Sequence, residues 1–336
     1  MNVIATVRQG YKEMDLYNEI ENLISLGIKT YRINAGKFID DVDALKEQLD
    51  ILYSFSDKIS IILDIPFPGK KYRIKMINGV KRGVKKGEKL VVTINGKKPS
   101  ANVNADYFSI LGFLEKEDLK GGKHIYYDDG SGEFIVTAQI EEDVYEFEAL
   151  TNCIMYNKKS ISIQKIEKIG YENYIHNICK RNKVNAIALS FVESQEDLIQ
   201  AYKLKKIYDF QIISKIESEL GIQNAYEIAE YSDGIMIGRG DLPLYSNFVK
   251  LLEYEDFLAD ICKKSGCDYY IATDILSSMR EKNIPNRSEI IDLAYIMRLR
   301  PEFIVLNYDV VFSENINRVL ETINEIYFNE IDQKKG

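Results

Sequence analysis

The chain has 336 residues and a net charge of −8, with 46% hydrophobic and 29% charged residues. That length accommodates one large domain with an inserted module, or two ordinary domains. The acidic balance disfavours a general nucleic-acid surface, which needs a positive footprint. No apolar run reaches the roughly 18–20 residues of a membrane span, and no signal peptide opens the chain. We therefore expect a cytoplasmic protein with neither nucleic acid nor membrane as partner.

The cysteines and histidines disfavour a zinc site. Four cysteines are scattered without a CxxC pair, and the chain has two histidines. Structural zinc is held by paired Cys and His ligands at short spacing, which this pattern does not offer. We expect the cysteines to be reduced thiols, mostly buried.

The first 65 residues alternate strand and helix patterns. Strands are predicted at residues 3–7, 30–35 and 59–65, the last a continuous apolar run typical of a parallel strand covered on both faces. A helix is predicted at 13–26, with Gly27 placed as its C-cap. Leu45, Leu49 and Leu52 mark a second amphipathic helix.

Residues 69–160 show short alternating runs and no good helix pattern. Leu90–Ile94 leads into Asn95-Gly96, a strong hairpin signal. Apolar residues then alternate over 134–140 and again over 145–149, which indicates half-buried strands. This segment is predicted to be a small all-β module.

Strand–helix alternation resumes after the module. The predicted strands are 186–192, 211–217, 234–238, 269–273 and 303–307. The predicted helices are 198–204, opened by a Ser194/Asp197 capping box, then 246–264, 288–298 and a last one over 316–326.

This organisation predicts an α/β fold. Three strands precede the module and five follow it, and about 244 residues remain outside it, close to the ~250 of a typical (β/α)₈ barrel. We predict a discontinuous TIM barrel from 1–68 and 161–330, a β lid domain at 69–160 after the third strand, and a polar tail at 331–336. An open doubly wound sheet is the alternative, but residues 8–11 lack its phosphate-binding glycine turn.

Polar residues cluster at the carboxyl ends of the predicted strands, where barrel enzymes place their active sites. Lys215 and Glu217 are two apart, so on a strand they point to the same side. An anionic substrate and a divalent metal would satisfy both, with Glu217 and Asp241 as the carboxylate ligands. Arg32 and Lys215 could then hold a phosphate. The full set is Arg32, Asn34, Asp64, Ser190, Lys215, Glu217, Asp241 and Thr273.

Each of these residues also has a purely structural interpretation. Lys215 and Glu217 could form an ion pair at an exposed edge, Asp241 could cap a helix, and Thr273 could fill the barrel. Their occurrence together at successive strand ends favours an active site. Arg239-Gly240-Asp241 also matches an adhesion tripeptide, which a cytosolic protein does not use.

The residues around Lys215 and Asp241 resemble the signature of pyruvate kinases. The resemblance is carried by Ser214-Lys215-Ile216-Glu217, by 232–242, and by 272–279 followed by 285–289. Segments 32–34, 63–64 and 188–192 resemble further strand ends of the family, and 128–130 resembles a turn of its lid. The similarity runs in the family's order from the N-terminus to about Asn307.

The resemblance implies roles for these residues. Lys215, Thr273 and Arg32 would be catalytic, and Glu217 and Asp241 would bind Mg²⁺ or Mn²⁺. The β module would be a mobile lid over the nucleotide. The implied substrate set is Arg32, Asn34, Ser190, Lys215, Gly240, Asp241 and Thr273. The implied nucleotide side is Lys37, Lys71, Arg73, Asp129 and Lys159.

The chain departs from the family pattern at several positions. Gly36 and Ile65 replace two hydroxyl residues that hold potassium in the family, so we expect potassium not to be required. Lys37, Lys70 or Lys71 could supply an ammonium group instead. Pro243 removes a backbone donor beside the substrate, and Asp274 adds negative charge there. The sequence ends at the last barrel helix, so we expect no C-terminal domain and no regulation by sugar phosphates.

The favoured function is transfer of phosphate from phosphoenolpyruvate to ADP with a divalent metal. One alternative is a metal-dependent enzyme of phosphoenolpyruvate, pyruvate or another 2-keto acid with a different acceptor or carbon–carbon bond chemistry. Another is a weakly active relative that binds or regulates. The phosphoryl acceptor, metal preference, oligomeric state and pathway stay open, because fold alone does not fix function.

Overall fold

The computed structural model describes residues 1–8, 13–38, 41–65, 71–77, 79, 81–100, 107–111, 119–128, 130–157, 159–163, 171–181 and 183–332. At residues 13, 71, 331 and 332 it describes the backbone alone. The chain forms two compact units. One comprises Met1–Asn34, Asp43–Ile65 and Glu172–Gly336, and the other comprises Ala35–Val42 and Pro66–Tyr171. The predicted module, 69–160, lies within the second unit.

The chain opens with two strand–helix pairs and a third strand. The first helix, α1 (Glu13–Ser25), ends where Gly27 adopts a positive φ of 88° and donates its N–H to Ile24 O, as the predicted C-cap requires. A short 3₁₀ turn, Ala35–Phe38, follows the second strand. The elements are β1 (Asn2–Thr6), α1 (Glu13–Ser25), β2 (Thr30–Asn34), α2 (Val42–Tyr53) and β3 (Ser60–Ile65).

The described part of the second unit consists mainly of strands. They are β4 (Lys71–Met76), β5 (Lys81–Val84), β6 (Lys89–Ile94), β7 (Tyr107–Leu111), β8 (His124–Tyr127), β9 (Gly132–Glu141), β10 (Val144–Ala149), β11 (Cys153–Tyr156) and β12 (Ser160–Ile163). Seven of these described strands close a small barrel in the order β10-β6-β7-β4-β12-β8-β9. Strands β5 and β11 pair separately. Large buried side chains such as Tyr72, Tyr127, Phe134 and Phe147 fill the core.

Two details of this unit differ from the sequence prediction. Asn95 and Gly96 do form a tight turn with positive φ values of 47° and 76°, but β6 and β7 run parallel, so no hairpin joins them. A turn residue fixes local geometry and leaves the strand partner to tertiary packing. The alternation over 134–140 ends early, because register shifts between β9 and β10 leave Ile140 43% exposed.

The remaining elements belong to the first unit. They are α3 (Glu172–Cys179), β13 (Ala186–Leu189), α4 (Ile199–Tyr208), β14 (Gln211–Ile216), α5 (Glu219–Gln223), α6 (Ala225–Glu230), β15 (Gly234–Gly238), α7 (Leu242–Tyr245), α8 (Leu251–Ser265), β16 (Asp268–Ala272), α9 (Arg287–Leu299), β17 (Phe303–Leu306), α10 (Tyr308–Val311) and α11 (Ile316–Asp332). The Ser194/Asp197 capping box is present and opens a 3₁₀ turn before α4. The helix predicted from Ser246 begins instead at Leu251, because Ser246 is extended and ends α7.

Within the described ranges, eight parallel strands close a barrel in the order β1-β17-β16-β15-β14-β13-β3-β2. Interior apolar side chains such as Ile4, Ile62, Ile213 and Met236 form one buried cluster. The predicted α/β barrel with a second, small β domain is confirmed, and closure excludes the open doubly wound sheet. Among the described residues, no helix is both long and apolar enough to cross a membrane.

Candidate active site

Asp64 contacts two cations, Arg32 and Lys215, that lie on two other strands of the barrel. It lies on β3, which pairs with β2 so that Asn34 is opposite Asp64. Its Oδ2 is 2.6 Å from Arg32 Nη2 and accepts the Arg32 Nε–H at 2.8 Å, while Oδ1 lies 3.3 Å from Lys215 Nζ. Arg32 also donates to the Thr6 hydroxyl at 3.1 Å. One carboxylate therefore holds an arginine and a lysine in fixed positions.

The charge state of Asp64 follows from this arrangement. Its side chain is 2% exposed, and burial alone would raise the pKa of the carboxyl. The charges of Lys215 and Arg32, with their hydrogen bonds, outweigh burial and hold the pKa of Asp64 below its ordinary value. Asp64 is thus the ionised counter-charge of both cations.

Lys215 contacts three polar side chains at the strand ends. Its Nζ donates to the Ser190 hydroxyl at 2.9 Å and lies 3.3 Å from both Asp64 Oδ1 and Glu217 Oε1. Ser190 in turn donates its hydroxyl proton to Ile65 O at 3.0 Å, so its lone pair faces the lysine. A buried ammonium needs this many acceptors, because each unmet donor would carry a desolvation cost.

Glu217 is fixed by the backbone of two neighbouring strands. Its Oε2 accepts the Phe191 N–H at 2.9 Å, and Phe191 has a positive φ of 52° that aims this amide. On the other side, a Cβ added at Gly238 would lie 2.4 Å from Glu217 Cγ. The missing side chain at Gly238 therefore makes room for the glutamate.

Asp241 follows β15, the strand adjacent to that of Lys215. It is 3% exposed, and its N–H donates to Gly238 O at 3.2 Å while its own carbonyl accepts the Leu244 N–H at 2.8 Å. Asp241 is thus the N-cap residue of α7, and Gly240 before it is half-buried. The helix-capping role considered from the sequence is present, and it is made by the backbone of Asp241, since its side chain forms no cap hydrogen bond.

The carboxylates of Glu217 and Asp241 fit a magnesium-type ion. Among the residues described, no three His, Cys, Asp or Glu side chains gather into a metal cluster. Magnesium, however, takes only one or two protein carboxylates and completes its shell with substrate oxygens and water. Glu217 and Asp241, both buried at adjacent strand ends, match that pattern.

Thr273 lies at the end of β16 in a strained turn. Its φ is +81° and that of Asp274 is +55°, a region that β-branched residues rarely adopt. Thr273 is half-buried and Asp274 exposed. Such strain persists only where the surroundings impose it, and it concentrates at functional sites.

The predicted nucleotide-side residues belong to the second unit. Arg73 is 7% exposed and donates from Nε to Gly36 O at 3.2 Å. Lys159 pairs with Asp128, with Nζ–Oδ2 at 2.9 Å, and Lys37 is half-buried in the 3₁₀ turn. Asp129 and Lys70 lie outside the described residues, as does the side chain of Lys71.

Pro243 is compatible with the helix that follows Asp241. It occupies the first turn of α7. Backbone N–H groups in a first helical turn have no intrahelical acceptor, so proline removes a donor that the helix itself does not use. The substitution is compatible with the loop at Asp241.

The residue Thr6 and two features of the site were not found from the sequence. Thr6 ends the first strand and contacts Arg32; the strand-end rule could have found it. The bridging role of Asp64 and the space at Gly238 depend on side-chain directions that a single sequence does not reveal.

Glu255 on α8, near Thr273, has a carboxyl group with a raised pKa. It is 3% exposed and 3.6 Å from Arg239 Nη1. Burial raises the pKa of Glu255 to about 7, from an ordinary 4.5, although Arg239 opposes the shift. The folded protein thus binds this proton more tightly than the unfolded chain.

We expect Glu255→Gln to flatten the pH dependence of stability. With a raised folded pKa, the contribution of Glu255 is fully present below pH 4.5 and is lost as the pH rises through about 7. At ~1.4 kcal/mol per pKa unit, the loss between pH 4.5 and 8 is on the order of 3 kcal/mol at most. Urea unfolding at pH 5 and 8 measures it. Glu253→Gln, an exposed neighbour, should follow the wild type; parallel curves for all three proteins would contradict the prediction.

Comparisons with known proteins identify the family. The model of the family "Pyruvate kinase, barrel domain" matches residues 2–298. The pyruvate kinase of Thermococcus litoralis is 28% identical over 345 residues, covering 96% of this chain and 69% of that protein.

Two further relatives show the same level of similarity. The pyruvate kinase of Chlamydia muridarum is 28% identical over 82% of this chain and 58% of its own length. The pyruvate kinase of Encephalitozoon cuniculi is 28% identical over 82% of this chain and 63% of its own. The alignments thus take in a little under two thirds of each of these two proteins.

Proposed function

The chain belongs to the pyruvate kinase family, and from that premise we propose that it transfers the phosphoryl group of phosphoenolpyruvate to ADP with Mg²⁺ or Mn²⁺. The observation that carries the proposal is the buried Lys215, held among Ser190, Asp64 and Glu217 at the carboxyl ends of barrel strands. Phosphoryl transfer depends mainly on positioning and charge neutralisation.

Arg32 and Lys215 supply the positive charge. Because Asp64 contacts both, their separation is set before substrate arrives. Donors fixed in advance need no reorganisation when charge moves in the transition state, which is the largest electrostatic benefit an active site offers. Arg32 presents a planar fork suited to phosphate oxygens, and Lys215 presents a point charge.

Glu217 and Asp241 would hold the divalent metal. When bound, that ion would neutralise charge on the phosphoryl oxygens and on the enolate oxygen. The contribution of the chain is to orient both carboxylates: Glu217 through the Phe191 amide and the space at Gly238, and Asp241 through the backbone turn that caps α7.

The carboxylate of phosphoenolpyruvate would be bound near Thr273. The Gly240 and Asp241 backbone amides and the Thr273 hydroxyl are the donors that we assign to it, and the Asp241 amide would exchange its 3.2 Å bond to Gly238 O for the carboxylate. Thr273 would also lie near the path by which the enolate of pyruvate receives its proton. The second unit would serve as the lid, with Lys37, Arg73 and Lys159 on the nucleotide side and water excluded on closure.

We expect activity to be independent of potassium. Both oxygens of Asp64 are engaged by Arg32 and Lys215, and positions 36 and 65 carry no hydroxyl. Replacing potassium by tetramethylammonium at constant ionic strength should change kcat/KM for phosphoenolpyruvate by less than about two-fold, below ~0.5 kcal/mol. A dependence of ten-fold or more would contradict this assignment.

A coupled assay of pyruvate formation tests the main proposal. Wild-type protein is supplied with phosphoenolpyruvate, with and without ADP, and with Mg²⁺, Mn²⁺ or a chelator. Turnover that needs both ADP and metal supports the kinase; its absence overturns it.

A second candidate function is favoured by the exposed Asp274 beside Thr273. A negative charge there disfavours one more anionic ligand. The metal site and the 2-keto acid site would remain usable with a different acceptor. Metal-dependent binding of phosphoenolpyruvate or pyruvate without ADP-dependent turnover would select this function.

A further inference from the structure

Arg239 has an environment that the proposed chemistry does not explain. It follows β15 directly, and its side chain is 9% exposed. Its Nη1 and Nη2 donate to the two carboxylate oxygens of Asp292 on α9, at 2.7 and 3.0 Å. This is the planar, two-bond pairing in which arginine is strongest.

The same guanidinium reaches the backbone of the Thr273 turn. Nη2 donates to Thr273 O at 2.7 Å and Nε to Ala272 O at 3.3 Å. Glu255 Oε1 lies 3.6 Å from Nη1. The guanidinium therefore makes four hydrogen bonds to these residues, two of them to the carbonyls that flank the strained torsion.

Packing alone does not hold this turn. A cavity of about 370 Å³ lies against it, lined by Thr273 and Asp274 together with Arg239, Asp292, Leu251 and Tyr295 among others. A turn bordered by open space relaxes toward ordinary torsions unless specific bonds restrain it. Thr273 and Asp274 nevertheless keep φ values of +81° and +55°.

We infer that Arg239 is a positioning residue, which with Asp292 clamps the Thr273 backbone and so presents the threonine to the substrate. The inference rests on the proposed function for the role of Thr273, while the clamp itself concerns the protein alone. Burial opposes the charge on Arg239, but Asp292 and Glu255 outweigh it and raise the pKa of the guanidinium. The guanidinium of Arg239 thus stays charged.

The clamp needs an arginine. A lysine has no planar fork and could not reach two carbonyls and two carboxylate oxygens at once. We therefore expect Arg239→Lys to keep a positive charge and lose the positioning. Asp292→Asn keeps the shape of the partner and weakens the pairing, so it should have the same effect to a smaller degree.

Two measurements test the clamp. Steady-state kinetics should show kcat/KM for phosphoenolpyruvate reduced about 10–100-fold in Arg239→Lys, with KM for ADP within two-fold of wild type. Hydrogen exchange should show amides of residues 273–278 exchanging at least about ten-fold faster. Arg298→Lys makes the same exchange at an exposed arginine of α9, whose partner Glu330 lies on α11, and it should leave both readouts unchanged.

The outcomes separate the two proposals. If the wild-type protein makes no pyruvate, the proposed function is wrong. The hydrogen-exchange rates of amides 273–278 in the variants then still test whether Arg239 clamps the Thr273 backbone. Unchanged exchange in both Arg239→Lys and Asp292→Asn overturns the clamp, whatever the activity. Should Arg239→Lys fold poorly, Asp292→Asn carries the comparison, because it removes no guanidinium from the interior.

Discussion

Substitution of Lys215 by methionine is expected to lower pyruvate formation about 10²–10³-fold, because one preorganised donor contributes roughly that factor. Methionine keeps much of the length and apolar volume of the lysine stem and removes the ammonium group. That group contacts Ser190, Asp64 and Glu217 in the structure. The coupled assay at saturating phosphoenolpyruvate and ADP measures the loss in kcat.

The controls separate charge from folding. Lys206→Met changes an exposed lysine on α4 and should leave kcat unaltered. Lys215→Met itself leaves Asp64 paired with Arg32, so the melting transition of the variant should stay cooperative. A folded Lys215→Met protein with more than a tenth of wild-type kcat would remove Lys215 from the catalytic set.

Gly238→Ala is expected to lower activity about 10²-fold by displacing Glu217. The added methyl carbon would lie 2.4 Å from Glu217 Cγ and 2.7 Å from its Oε1, well inside van der Waals contact. Cβ atoms do not tolerate such distances, so the glutamate must move. A metal carboxylate displaced by about 1 Å loses geometry that magnesium requires.

Metal titration distinguishes this effect from general damage. The Mn²⁺ concentration for half-maximal activity should rise at least ten-fold in Gly238→Ala, whereas KM for ADP should change little. Gly83→Ala is the matched control, because a Cβ at Gly83 meets nothing within 4 Å and its φ is not positive. Equal metal dependence in Gly238→Ala and wild type would show that Glu217 does not bind the metal.

The resemblance of the motifs around Lys215 and Asp241 placed the chain in its family, and the family model confirms that assignment. Strand–helix periodicity placed the barrel strands to within about three residues at either end. The second unit was harder, since β6 and β7 turned out parallel despite the Asn95-Gly96 turn. Strand partners depend on long-range packing, which a two-residue turn signal does not encode.

By itself, the sequence determined the order of the barrel strands, the closed α/β barrel, and the strand ends at which Arg32, Lys215, Glu217, Asp241 and Thr273 occur. These follow from local hydrophobic periodicity and from the rule that strand carboxyl ends meet at one face. The tertiary structure alone decided that Asp64 bridges Arg32 and Lys215, that Glu217 lies over Gly238, and that Arg239 binds the Thr273 backbone. Those contacts depend on side-chain direction and ångström-scale distances between segments far apart in sequence, which are fixed only when the barrel closes and packs.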